Sequence, residues 1–252
     1  MKLIALFACA LLVATPAAAR PLFAPWIDGT ASSEPEMQVQ SLDADTFVIR
    51  QSVKTNFEAP FLYLLFGKDR ALLLDTGAGG LKVRPTVDKV IADWCAAHRR
   101  ASIPLVVAHS HGHGDHHMGD AEFQVRPDTV VVGLKPEDVA AFFGIADWPN
   151  QVATFDLGGR ALEIIPTPSH HPSHIMVFDP RTRALLSGDS LYPGRLYVPA
   201  DQIGAFRLEL PYADLMELQA ALHAMGDTAH REVHPDFIVF PTPPRSAPKP
   251  AV

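Results

Sequence analysis

The chain has 252 residues, 48% hydrophobic and 19% charged, which suits one sizeable core and excludes a disordered or fibrous protein. A formal charge of −7 without any basic cluster argues against a nucleic-acid partner and weighs lightly against a polyanionic substrate. Residues 1–19 read as a cleavable export signal. Lys2 gives the positive start, Leu3 to Ala14 the apolar core, and Ala17-Ala18-Ala19 a small-residue cleavage site before Arg20. The apolar core is too short for stable membrane insertion, so a periplasmic or secreted protein is expected. Removing the signal takes the charge from −7 to −8 and leaves Cys95 as the remaining cysteine, so no internal disulfide can form.

Residues 20–36, rich in Pro, Ser and Ala, read as an irregular lead-in to a domain over 37–240. Met37 to Arg50 and Pro60 to Thr76 look like strands, with Val48-Ile49-Arg50 and Phe61 to Phe66 as apolar cores and Gly67-Lys68-Asp69-Arg70 as a hairpin turn. Ala71 to Thr76 ends in Asp75 and a glycine-rich loop, Gly77 to Gly80. An amphipathic helix follows around Val83 to Arg100, in which Cys95 reads as a packed small hydrophobe. The run 103–108 is a short buried strand, Thr129 to Gly133 another, and Pro136 to Phe143 a helix with Pro and two acids in its first turn. Strand pairs 152–157 with 161–165, across Gly158-Gly159, and 174–179 with 184–189 come next. A helix over 212–225, a strand at Phe237 to Phe240 and a Pro-rich tail over 241–252 close the chain. Alternating strand pairs and helices without a repeat fit an α/β domain.

The chemistry concentrates after strand 103–108, in Ser110-His111-Gly112-His113-Gly114-Asp115-His116-His117. Histidines two apart in an extended segment share a face, so His111 and His113 can hold one metal ion. Asp115 and His116 are direct neighbours and can face a second ion only if the chain turns after Gly114. Imidazole with carboxylate suits zinc better than a thiolate-loving metal or calcium. Two further segments end apolar strands, Thr167-Pro168-Ser169-His170-His171-Pro172-Ser173-His174 and Ser187-Gly188-Asp189-Ser190.

His111-x-His113-x-Asp115-His116 resembles the metal motif of the metallo-β-lactamase fold superfamily. The resemblance extends by motif over about residues 37–240 and implies a four-layer αβ/βα sandwich of two mixed sheets with outer helices. It makes His170 the third ligand of a first zinc beside His111 and His113, with serines at 169 and 173 where the family commonly has glycine. Asp189 takes the place of the aspartate that bridges two ions, and Asp75 that of an aspartate supporting the metal loop without ligating. His171 and His174 are then hydrogen-bonded loop residues. The family closes the second site with a histidine after the last strand, where this chain has Pro241-Thr242-Pro243. His234 is the candidate to join Asp115, His116 and Asp189, with His230 as runner-up and a single zinc as the remaining option. Tyr192 and Tyr197 lie near enough in sequence to Asp189 to donate to an oxyanion.

The resemblance thus implies a dinuclear zinc hydrolase attacking a carbonyl (ester, lactone, thioester or β-lactam amide) with a metal-held hydroxide. Asp115 and Asp189 are its catalytic carboxylates, and a small molecule is its substrate. A periplasmic zinc-binding protein without catalysis is the alternative, as is a β-lactamase specifically. Substrate and oligomeric state are not legible in the sequence.

Overall fold

The computed structural model describes residues 23–168 and 170–190, together with the backbone of three later strands at 196–199, 232–233 and 237–240. Six strands form one sheet in sequence order: β1 (Met37–Asp43), β2 (Thr46–Gln51), β3 (Phe61–Phe66), β4 (Ala71–Leu74), β5 (Leu105–Ala108) and β6 (Thr129–Val131). Pairing is antiparallel as far as β4 and parallel from β4 to β6. The change of direction needs a crossover, supplied between β4 and β5 by α1 (Arg84–Ala97). A second, four-stranded sheet has the order β10-β9-β8-β7, from β7 (Ala153–Asp156), β8 (Ala161–Pro166), β9 (Ile175–Asp179) and β10 (Ala184–Leu186). Its described strands are antiparallel throughout, not mixed, because each connects to the next by a turn or short loop. The late strands β11 (Leu196–Pro199), β12 (Glu232–Val233) and β13 (Phe237–Phe240) form a mixed three-stranded sheet.

Side-chain alternation explains the layering. Leu62, Leu64, Leu73, Leu105 and Val107 point to one face, where α1 lays down Val87, Val90, Ile91, Trp94 and Cys95. Their neighbours Leu65, Leu72, Leu74, Val106 and Ala108 point to the other face and meet Leu162, Ile164, Ile175, Val177 and Leu186 of the second sheet. Covered on both sides, β4 and β5 are buried at every position and read as unbroken apolar runs. The α/β arrangement of two facing sheets with an outer helix is the expected one. The fourth layer would come from the helix expected at 212–225, which lies outside the described residues.

Two details differ from the sequence reading. The stretch 37–50 is a hairpin rather than one strand, reversed at Asp43, whose Oδ1 accepts the Asp45 N–H at 2.9 Å. Two short helices not expected from the sequence, α2 (Gly114–His117) and α3 (Asp120–Gln124), follow β5; α4 (Pro136–Phe143) is as expected. The lead-in is tied down. Gln38 and Gln40 accept the backbone N–H groups of Ile27 and Ala24, and Trp26 meets Phe61 edge-on at 5.0 Å.

A buried ion pair, Arg160 with Asp179, lies at the end where β8 begins. Arg160, 3% exposed, donates to the Asp45 and Phe66 carbonyls and Thr46 Oγ1 of the first sheet and to Asp179 Oδ2 of the second at 2.6 Å.

Candidate metal centre

At the opposite end of β8 the chain loops back over the C-terminal ends of β4 and β5. Asp75, just past β4, is a non-glycine residue in the left-handed region, with φ +70°. That conformation is uncommon for a side chain larger than glycine, and Asp is among those that tolerate it. It turns the carboxylate inward. Oδ1 accepts the Ser110 N–H at 2.7 Å, and Oδ2 lies 2.9 Å from both Ser110 Oγ and His116 Nδ1. Asp75 therefore fixes the start of the histidine loop and the orientation of one imidazole.

The loop itself bends where the sequence suggested. His113 is still extended, at φ −75° and ψ 149°, and α2 begins at Gly114. That single helical turn swings Asp115 and His116 to the side facing Asp75 and Asp189. Gly112 matters for space rather than for turning: a Cβ there would stand 2.7 Å from the His171 ring.

Donor atoms from three segments converge. His111 Nε2 and His170 Nε2 each lie 3.0 Å from His113 Nδ1. Nitrogens held about 2.0–2.1 Å from one tetrahedral ion stand about 3.3 Å apart, so this trio is close to the span of a shared cation. A second group joins His111, His116 and Asp189, and within each group the donors lie within 4.8 Å of one another. Asp189, in a 3-10 turn after β10, turns one oxygen to each group. Oδ2 is 3.6 Å from His170 Nε2 and 4.0 Å from His111 Nε2, while Oδ1 is 3.4 Å from His116 Nε2. Asp115 Oδ2 is 3.1 Å from His116 Nε2.

The chemistry of these donors fits a metal. His116 Nε2 is buried between two carboxylates yet aligned for a hydrogen bond with neither. A cation between nitrogen and carboxylates would satisfy all of them. Burial works against charging His116, but the Asp75, Asp115 and Asp189 carboxylates outweigh it and push its pKa up to about 12. Burial holds His111 far below the usual histidine range, with the neighbouring imidazoles adding to the effect. Burial also lowers His113, against the pull of Asp115 and Asp189. Asp115 and Asp189 are both lowered, since contact with His116 overcomes the burial that would raise them.

His171 and His174, the other histidines of the second loop, are held by hydrogen bonds. His171 Nδ1 lies 3.0 Å from Ser173 Oγ and accepts the Ser173 N–H at 3.2 Å. His174 is fully buried, with Nδ1 2.8 Å from Thr167 Oγ1. Burial draws His171 down to about 4 and His174 to about 3. The sequence reading missed Ser110, whose buried hydroxyl touches Asp75, His111 and His116. It also missed Asp120, which accepts from Thr76 Oγ1 and pairs with His109 Nε2, each at 2.8 Å, bracing the loop from beneath. Ser110 carried one signal, its place between strand and first histidine; Asp120 carried none. His234, His230 and Tyr192 lie outside the described residues, as does the side chain of Tyr197.

A family model described as the metallo-beta-lactamase superfamily matches residues 56–234. The chain is 30% identical over 91 residues to a hydroxyacylglutathione hydrolase of Rhizobium meliloti (strain 1021), and the match spans 35% of each protein, about a third of that relative's length. Among solved structures, a metallo-beta-lactamase from Hirschia baltica aligns with TM-score 0.45 at 14% identity, over 82% of this chain and 90% of that one. Another from Pontibacter korlensis aligns with TM-score 0.37 at 19% identity, over 65% and 71%.

Proposed function

Because the chain belongs to the metallo-β-lactamase superfamily, we propose that it is an exported, zinc-dependent hydrolase acting at a carbonyl carbon. The convergence of His111, His113 and His170 beside His116 and Asp189, from segments far apart in sequence, supports the metal dependence, and the signal-like segment 1–19 is the ground for export. His111, His113 and His170 would hold a first zinc, and Asp115, His116 and Asp189 would hold a second. When bound, zinc supplies a Lewis acid and a water whose pKa falls towards neutrality. The residues of the chain do the rest. Asp75 and Ser110 keep His116 turned so that Nε2 faces the centre. Asp115 orients the attacking water and carries a proton to the leaving atom.

Among carbonyl substrates, an ester, lactone, thioester or β-lactam amide fits the proposal, and the curated relative is a hydrolase of hydroxyacylglutathione. Metal analysis of the purified protein followed by a panel of these four classes tests it. Two zinc ions per chain and turnover of at least one class are expected. A fully metallated protein inert towards all four would leave a zinc-binding role instead. His234 completes the second centre in this reading: His234→Ala should lower zinc from two ions towards one with the fold intact, and His230→Ala should do much less. Loss of zinc from His230→Ala alone would transfer that role to His230.

A further inference from the structure

The end of the sandwich remote from the metal centre holds a cleft of about 340 Å³ where the end of α1 meets two hairpin turns. The turns, 67–70 between β3 and β4 and 157–160 between β7 and β8, are locked together. The Lys68 N–H donates to the Gly158 carbonyl at 3.0 Å and the Asp69 N–H to the Leu157 carbonyl at 2.9 Å. A Cβ at Gly67 would stand 2.1 Å from the Leu157 oxygen, so the turns meet only because glycine is there. The floor of the cleft is thus preformed. One wall is the Trp94 ring with His98 stacked on it at 4.1 Å.

The lining is cationic in a chain whose net charge is −7. Lys68, Arg100, Arg160 and Arg181 line it against the single carboxylate of Asp45. Two of these cations are already neutralised, Arg160 by Asp179, and Arg181 by Asp43 and Asp45. Lys68 and Arg100 have no carboxylate partner among the described residues. Arg100 is nevertheless placed, since its guanidinium donates to the Lys68 carbonyl and lies 6.0 Å from the Trp94 ring centroid. An ordered guanidinium beside a lysine is the arrangement that recognises carboxylate or phosphate oxygens. The volume falls at the small end of the range of about 300–1,000 Å³ for ligand pockets, which leaves room for an organic body against the imidazole wall.

We propose that this cleft binds a small organic oxyanion, held by Lys68 and Arg100 and resting on the His98 ring, which Trp94 backs from behind. It is separate from the metal centre: β8 runs from Arg160 to the His170 loop, about 20 Å at roughly 3.3 Å per residue.

The Trp94 indole N–H, which donates to Asp45 Oδ1 at 2.9 Å, reports on the cleft. Its ¹H–¹⁵N resonance, assigned with Trp94→Phe, is followed in the metal-loaded protein during titration with inorganic sulfate, acetate and benzoate at constant ionic strength. Saturable shifts are expected, with benzoate at least threefold tighter than acetate. Lys68→Ala/Arg100→Ala should weaken sulfate at least tenfold while its other resonances stay dispersed, and Lys68→Arg should retain binding. His113→Ala should keep the sulfate response, because that residue acts at the other end. The proposal is overturned by a shift that chloride reproduces, by one that the double variant keeps in full, or by one that disappears in His113→Ala. Benzoate no tighter than acetate would remove the organic body from it.

Discussion

His170 and His171 are adjacent, yet their imidazoles serve different partners. His170 Nε2 points to His113, whereas His171 is occupied by Ser173. His113→Ala and His170→Ala should each remove the first zinc and abolish hydrolysis, while His171→Ala should leave zinc per chain nearly unchanged; elemental analysis of the three variants checks this. Asp75→Asn is a finer test. Asn tolerates the left-handed conformation and can still accept the Ser110 N–H, but its amide group cannot accept from His116 Nδ1. Zinc affinity should fall about 10- to 100-fold with the fold retained, as measured by competition with a chelator. The closeness of His111 and His113 was readable in advance because their spacing within one short segment constrains them, whereas His170 and Asp189 were expected only from the family resemblance. Ser110 and Asp120 were not legible, because their partners Asp75, Thr76 and His109 come to them through the pairing of β4 with β5.

The strands were legible where apolar residues ran unbroken, as in β3, or alternated over one buried face, as in β8, and where glycine marked a turn, as at Gly158-Gly159. The β1–β2 hairpin was hidden because its reversal uses Asp43 and Asp45 instead of glycine or proline. Helices α2 and α3 are too short for a period to show. Arg160 illustrates a different gap. Nothing in the sequence marks it, yet it ties Thr46 and Phe66 of one sheet to Asp179 of the other. Removing one partner of a buried pair strands the other charge, so Arg160→Met should cost about 3–5 kcal/mol in urea denaturation near pH 7. Arg160→Met/Asp179→Leu should recover much of that loss. Burial would raise Asp179, but Arg160 and Thr182 outweigh it and hold its carboxyl below the usual range. A depressed folded-state pKa stabilises above the unfolded value of about 3.9 and stops doing so as pH falls through the folded one. The gap between native protein and Arg160→Met should therefore narrow in acid below about pH 4.

For the whole molecule, the composition implied one sizeable core; among the described residues the buried apolar side chains form two clusters, one on either face of the central sheet. The helix expected at 212–225 and the closing ligand of the second site, expected at His234, lie outside the described residues. Export remains a proposal with a direct check: the secreted protein should begin at Arg20 by N-terminal mass analysis, and a soluble cytoplasmic form retaining Met1 to Ala19 would refute it. The donors also have a consequence outside catalysis. His111, His113 and His116 follow a strand of one sheet, while His170 and Asp189 follow strands of the other. A bound ion is therefore a clasp across the core, and zinc at about 100 times its dissociation constant would deepen the native well by about 2.7 kcal/mol. The unfolded fraction exposed to proteases would fall about a hundredfold, so the abundance of this protein should rise and fall with the zinc supply of its surroundings.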